Sequence, residues 1–438
     1  MDKTAGGRAG APRGDCLPSM AMFHEMRRLS RLFPLAIVLA LPGCGSDSSS
    51  PTGPVVPISR VVVSPAVDTV GVDQFAQFSA TAFDTLGNPA PGVGFHWTSG
   101  DPQIFSVTSG GRVEGVSEGT APLIVEAQGL RDTAWVTVVS DPGWFRQPSG
   151  TSAELNAVFF QPDGRNGVAV GNGGTIIRTT DGGASWTRPP SGTSFNLNGV
   201  WFTGDTEGWA VGNGGTVMHT VDGGQTWARD PFVYQGDALY DVRFASRDLG
   251  WVVGASGLIL RTSTGGLGWY AIRLPTSFSL RGVSFTGALD GWAVGGGGVI
   301  AGTHDGGLTW FMVPTPTVQG LEDVWQRSLA NAWAVGSQGV TPRTVATPDS
   351  VEWELQTAGP TRQLNGVHFP TDLIGYAVGY DAMLGGTVLR TEDGGVTWQA
   401  QASRSSARLN DVFFIDPLHG WAVGEGGTVI HTANGGSE

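Results

Sequence analysis

From residue 155 onward, apolar residues come in bursts of five or six, broken by glycine-rich polar turns. The recurring text is Leu-x-x-Val-x-Phe, then Gly-Trp-Ala-Val-Gly, then Gly-Gly-Thr-x-x-x-Thr-x-Asp-Gly-Gly-x-Thr-Trp. Bursts of this length between glycine turns read as short strands. The clearest copy predicts strands over 197–202, 208–212, 216–220 and 226–230. Its opening leucine returns at Leu155, Leu197, Leu239, Leu280, Leu321, Leu364 and Leu409, so there are seven copies. A period near 40 built from four short strands marks a radially repeated all-β fold. One unit cannot bury both faces of its sheet, so the units must stack. The pattern predicts a seven-bladed β-propeller over residues 143–438.

The last copy stops at Asn434-Gly435-Gly436, short of its fourth strand. Ahead of the first copy stands Gly143-Trp144-Phe145-Arg146-Gln147-Pro148-Ser149-Gly150-Thr151-Ser152. It matches Ser185-Trp186-Thr187-Arg188-Pro189-Pro190-Ser191-Gly192-Thr193-Ser194 almost residue for residue. The N-terminal segment is therefore expected to supply the outer strand of the last blade, which leaves no open edge at the closure.

The turn Asp222-Gly223-Gly224 with Trp227 resembles the Asp-box of BNR repeats. Its aspartate can accept hydrogen bonds from the turn's own N–H groups, while glycine supplies positive φ and tryptophan packs beneath. Copies stand at Asp181 and Trp186, Asp222 and Trp227, Asp305 and Trp310, and Asp393 and Trp398. Thr264 and Asn434 replace the aspartate in blades three and seven, and Asp349 with Trp353 is a shortened version in blade five. With the Gly-Trp-Ala-Val-Gly text, residues 143–438 resemble the Ycf48-like family of photosystem II assembly and stability factors. The resemblance implies a non-catalytic propeller that binds a protein partner and assists a membrane complex.

Residues 58–140 change character. Arg60-Val61-Val62-Val63 and residues 74–83 read as strands, followed by Trp97-Thr98-Ser99-Gly100-Asp101-Pro102, Phe105-Ser106-Val107 and Gly111-Arg112-Val113-Glu114-Gly115-Val116. This stretch resembles a bacterial Ig-like group 2 domain, with Trp97 as the core aromatic. Such modules act as spacers; carbohydrate or protein binding is the alternative role.

Further upstream, Arg27, Arg28 and Arg31 precede ten apolar residues, 32–41, too few to span a bilayer. Leu41-Pro42-Gly43-Cys44 resembles a lipobox, so Cys44 is the expected site of lipidation and residues 1–43 the leader, with Met26 a plausible true start. Residues 44–57 read as a flexible Ser/Pro/Gly tether. Only Cys16 and Cys44 exist, and removal of the leader leaves a single cysteine, which excludes an internal disulfide.

Beyond the leader the chain carries 35 acids against 19 bases. That balance excludes non-specific nucleic-acid binding, which needs a basic surface. Metal-binding histidine spacing is absent, as is any nucleotide fingerprint in strand–turn–helix context, so no metal or cofactor is expected. The tyrosine and arginine segments of a sialidase are missing. Glu322, Asp323, Asp241 and Asp411 open inner strands, but no spacing singles out a glycosidase pair.

A repeated set lies in the third strands: Arg178, His219, Arg261, Arg343, Arg390 and His431. Its regularity favours packing over binding. The irregular loops are better site candidates. Tyr380 sits in an insertion of blade six, Arg281 and Glu322 break the run of Asn156, Asn198, Asn365 and Asn410, and Arg362, Arg404 and Arg408 crowd neighbouring loops. The expected function is that of a lipid-anchored envelope protein whose propeller binds a protein through these loops. Carbohydrate recognition and glycoside hydrolysis are the rivals.

Overall fold

The computed structural model describes residues 57–72, 74–139, 143–230, 236–346, 351–359 and 362–437. The leader, Cys44, nearly all of the tether and Asp349 lie outside the described residues. Strands dominate, and no described helix is long and apolar enough to cross a membrane.

Nine strands precede the propeller. One sheet orders Val67–Gly71, Leu130–Val139, Gly119–Ala127 and His96–Ser99, with the first pair parallel. Arg60–Ser64 pairs with Ser79–Phe83, and Arg112–Gly115 is flanked by Phe75–Gln77 and Phe105–Val107. Alternate side chains point inward, so Phe78, Phe105, Val113, Leu123, Val125 and Trp97 fill one core. The predicted continuous strand over 74–83 is broken at Phe78, whose own N–H turns aside to the carbonyl of Gly111.

The repeats follow as seven sheets. Blades two to six each have four antiparallel strands in sequence order; in blade two they are Leu197–Phe202, Gly208–Gly212, Thr216–Thr220 and Ala228–Arg229. The fourth strand is shorter than its sequence predicted. In blade one it shrinks to a single bridge between Arg178 and Thr187. The seventh sheet is ordered Phe145–Gln147, Val429–Thr432, Gly420–Gly424, Leu409–Phe414. Its outer strand thus comes from ahead of the first repeat, with Phe145 opposite His431. Trp144 enters with it, fully buried between blades six and seven; its Nε1 donates to Gln401 Oε1 at 2.9 Å.

The repeat text now has a packing meaning. Four of the five second-strand tryptophans lie flat on the phenylalanine at the end of the next blade's inner strand; Trp292 instead meets Trp353 edge-on, since Gln326 stands where that phenylalanine would be. Trp209 stacks on Phe244, Trp251 on Phe285, Trp333 on Phe369 and Trp421 on Phe160, with ring centroids 3.4–3.7 Å apart. In blade six Tyr376 does the same to Phe414. Three of these indoles also donate onward: Trp251 to Gly306 O, Trp333 to Gly394 O and Trp421 to Gly182 O, each in the Asp-Gly-Gly turn of the following blade. The glycine opening these second strands is required by the phenylalanine of its own blade's inner strand; a Cβ on Gly420 would stand 2.5 Å from Phe414.

Candidate binding face

The Asp-boxes behave as turn builders. Asp305 Oδ1 accepts from the Thr309 N–H at 2.9 Å and from Thr303 Oγ at 2.9 Å, and Oδ2 accepts from Thr309 Oγ at 2.6 Å. Asp181, Asp222 and Asp393 repeat the arrangement with their own turns. These donors, led by the Thr309 hydroxyl, hold the Asp305 carboxyl down at about 2. Trp227 is buried, with its ring edge-on to Phe202 at 6.0 Å; Trp186, Trp310 and Trp398 meet Phe160, Phe285 and Phe369 in the same way. All these groups are occupied in holding turns.

The third-strand cations are likewise spoken for. Arg178 Nε donates to Gly223 O at 2.6 Å and Arg261 Nε to Gly306 O at 2.7 Å, in each case reaching the next blade's Asp-Gly-Gly turn. His219 stacks on Trp209 and His431 on Trp421. Burial drives His431 down to about 3, so it packs as a neutral ring.

At the opposite face, where the inner strands begin, the irregular loops gather. The predicted residues do not form one patch there. Arg362 and Arg404 line a groove on blade six together with Leu384. Arg362 is tied down, 3.7 Å from Asp381 and bonded to the carbonyl of Ala358. Arg408 stands 4.0 Å from Glu154. Arg281 lies apart, over the Tyr240 ring at 4.3 Å and 3.8 Å from Glu322. Tyr380 is 37% exposed beside Met383 and Leu384, which are more exposed still. Two further aromatics, Phe195 and Phe278, are exposed on this face. Each lies against the Gly-Gly turn joining the second and third strands of its blade; a Cβ on Gly297 would meet Phe278 at 2.5 Å. The repeated Thr-Ser-Phe ahead of their inner strands is the sequence signal for this pair.

The feature that sequence reasoning missed lies on the axis. In the third position of each inner strand the ring reads Ala157, Gly199, Asp241, Gly282, Asp323, Gly366, Asp411. Three aspartates therefore stand on alternate blades with small residues between them. Each pins the ring. Its Oδ1 accepts from the next N–H of its own strand, and its Oδ2 accepts from the following blade: Asp241 from Val283 N, Asp323 from Val367 N and Asp411 from Val158 N, at 2.9–3.0 Å. The last of these joins the seventh blade to the first. The small neighbours are obligatory, since a Cβ on Gly366 would come 2.9 Å from the Asp411 backbone. Burial raises all three carboxyls. Asp411 reaches about 6, and Asp323 is raised well above the usual range, with the charges of Asp241 and Asp411 adding to burial.

Two residues further along each inner strand the channel is closed. Phe159, Trp201, Phe413, His368 and Trp325 meet across the axis, and Arg243 lies over the rings of Trp201 at 4.4 Å and Trp325 at 5.2 Å. Above them lies a cup of about 260 Å³, lined by Asp241, Asp323, Asp411, Arg243, Ala157 and Val200. Asn156, Asn198, Tyr240, Arg281, Glu322, Asn365 and Asn410 form its rim. Among the described residues no group of three acids, histidines or cysteines is placed to hold a metal ion.

This architecture defines the class: a β-propeller of the Asp-box type, its inner strands surrounding a plugged axial cup. The family model described as photosynthesis system II assembly factor YCF48 matches residues 137–235 and 232–321. The propeller is Ycf48-like. Among solved structures, YCF48 bound to D1 peptide has 22% identity and a TM-score of 0.55, covering 66% of this chain and 94% of that one. YCF48 from Cyanidioschyzon merolae gives 22% identity and 0.55, covering 66% and 98%. The virginiamycin B lyase of Staphylococcus aureus shares the fold at 12% identity, with a TM-score of 0.57 and coverage of 66% and 98%. No curated protein matches the chain.

Proposed function

We propose that the propeller is a non-catalytic docking platform for a protein partner, engaged through the face where the inner strands begin. The observation that carries this reading is the Ycf48-like repeat text, taken with a Ycf48 solved with a peptide bound. Exposed Phe195, Phe278 and Tyr380 on that face are anchors of the kind that concentrate binding energy. The axial aspartates, each engaged by two backbone N–H groups, serve the ring and speak against glycoside hydrolysis. On the same reading, lipidation at Cys44 holds the protein at the cell envelope, and the Ig-like module sets the propeller away from the membrane.

Two experiments test this. Replacing Tyr380, Arg404 and Arg408 together by alanine should abolish recovery of the partner from membrane extracts and leave the melting temperature nearly unchanged, since exposed substitutions cost under ~0.5 kcal/mol each. Hydrolysis of a sialoside or polysaccharide, lost on changing one carboxylate, would promote the enzyme reading instead. For the anchor, the intact mass of membrane-purified protein should include acyl chains that vanish in Cys44→Ala; an unmodified mass in the membrane fraction would end that part of the proposal.

A further inference from the structure

The two blades that meet where the ring closes are both incomplete. Blade one has three strands, with a single bridge in place of its fourth. Blade seven borrows its fourth, Phe145–Gln147, and that strand is only three residues long. A strand at the rim of a propeller has one open edge, and covering such an edge protects it. This one is covered. Phe145 is 4% exposed, whereas Tyr270 and Phe311, at the same place in the outer strands of blades three and four, are 66% and 40% exposed.

The cover comes from the β module ahead of the propeller. Its strands Val67–Gly71 and Phe75–Gln77 lie against Phe145–Gln147. Phe75 shares one cleft of about 480 Å³ with Phe145 and Trp421 of blade seven and with Asp181 of blade one. It stands outside its own module's core, and the Arg112 guanidinium lies over its ring at 3.9 Å. Opposite charges face each other on both sides of the closure. At blade one, burial works to raise the Asp181 carboxyl, but the Ser185 and Thr179 donors and the Arg112 charge hold it below its usual range. At blade seven, burial raises the Asp68 carboxyl against the Thr69 N–H and the Arg146 charge, and Asp68 and Arg146 line a second cleft together. A module that only spaced the propeller from its anchor would need neither contact. One that touches both blades fixes the distance between them.

We propose that the module formed by residues 57–139 is a clasp across the closure of the ring: seated on the outer strand of blade seven and on the Asp-box turn of blade one, it keeps the borrowed strand paired, and its release frees that strand first. The clasp rests neither on the docking reading nor on lipidation.

The test uses the full chain. In hydroxyl-radical footprinting of the wild type, Phe145 should be oxidised roughly tenfold more slowly than Phe311, in line with exposures of 4% and 40%. Equal rates would show the closing strand uncovered and overturn the proposal. Phe75→Ala combined with Arg112→Ala removes the apolar contact and the charge facing Asp181, and neither residue belongs to the module's core. This variant should bring Phe145 toward the Phe311 rate. It should also speed hydrogen exchange over 145–147 and 429–432 by roughly tenfold, as local opening does, while exchange over 250–254 in blade three stays as it was. If the double variant does not fold, Asp68→Asn takes its place, since it removes only the charge facing Arg146, and the same changes are expected. A folded variant whose closing strand stays protected would overturn the clasp. So would acceleration spread evenly over all the blades, which marks general destabilisation. Partner capture enters none of these readouts, so the clasp and the docking face stand or fall separately.

Discussion

Asp411 and His431 are buried ionisable groups whose pKa values move in opposite directions. The Asp411 carboxyl titrates at about 6 in the folded chain, against about 4 when unfolded. Between those values the folded state holds the proton and the unfolded state has lost it. Its contribution to stability is therefore full below about pH 4 and is lost as pH rises through about 6, by on the order of 2–3 kcal/mol. His431 is held neutral down to about 3, so its contribution is full above about 6.5 and is lost as pH falls toward 3. The two slopes oppose each other between pH 4 and 6. Relative to wild type, Asp411→Asn should make stability fall more steeply with acid, and His431→Phe should make it fall less. Denaturant melts at several pH values check both, and parallel curves for variant and wild type would refute the assignments. Removing the Trp421 N–H by Trp421→Phe leaves Gly182 O with one donor fewer and should cost about 1–2 kcal/mol, measurable in the same melts.

At the scale of the element, blades cohere because five of the seven second strands carry a ring that lies flat on the next blade, and in three of them the next Asp-Gly-Gly turn supplies a carbonyl to meet the indole. Trp144 completes the seventh blade as the Asp-box tryptophans complete theirs, edge-on to Phe414 at 5.8 Å. Trp144→Ala should cost about 3–5 kcal/mol, as for other buried tryptophans. Deletion of residues 143–152 should cost more, because it also removes a strand from a sheet edge. Calorimetry of each against wild type decides, and a truncated chain that melts with the full one would exclude the latch. The strands were legible because short apolar bursts and glycine turns are local signals, and the latch because residues 143–152 and 185–194 agree at seven of ten positions. The short fourth strands were not, since their length depends on an outer edge that no neighbour covers. The axial aspartates also escaped, although Leu-x-Asp stands in three copies. Their meaning lies in a position shared across the ring, and reading one copy at a time treats each as an isolated strand-opening acid. Tyr380 was legible as part of a blade-six insertion, but that Arg281 would stand at the rim of an axial cup was not, because that depends on how the inner strands meet around the axis.

For the molecule as a whole, the two ends of the ring have different chemistry. At the Asp-box end the carboxylates are spent on their own turns and several turn carbonyls on the blade before. The other end has exposed aromatics, paired arginines and an acid-lined axial cup. Binding should therefore be separable from stability by face. Alanine at Phe195 and Phe278 together should impair partner capture and shift the melting temperature little, whereas alanine at Arg178 and Arg261 should lower the melting temperature before capture changes. Thermal melts alongside capture assays distinguish these outcomes, and a loss of capture in the second pair without any change in melting would contradict the division.

The closing strand joins residues far apart in the chain: Ser149 Oγ donates to Gly427 O across 278 positions. During synthesis the first-made piece of the ring must wait for the last-made one, and until then blade seven has no outer edge and blade one no neighbour on one side. A growing chain is thus exposed to mispairing for almost its entire translation, and the loop that must close is long. The same fact makes the ring indifferent to chain order. A rearranged gene that moves residues 143–152 from the front of the propeller to its end would place that strand in the same sheet, beside the same partner, with no wait at all. Such a rearrangement should fold faster than the natural order and melt at the same temperature, because the blade it completes is defined by where its strands lie and not by when they are made.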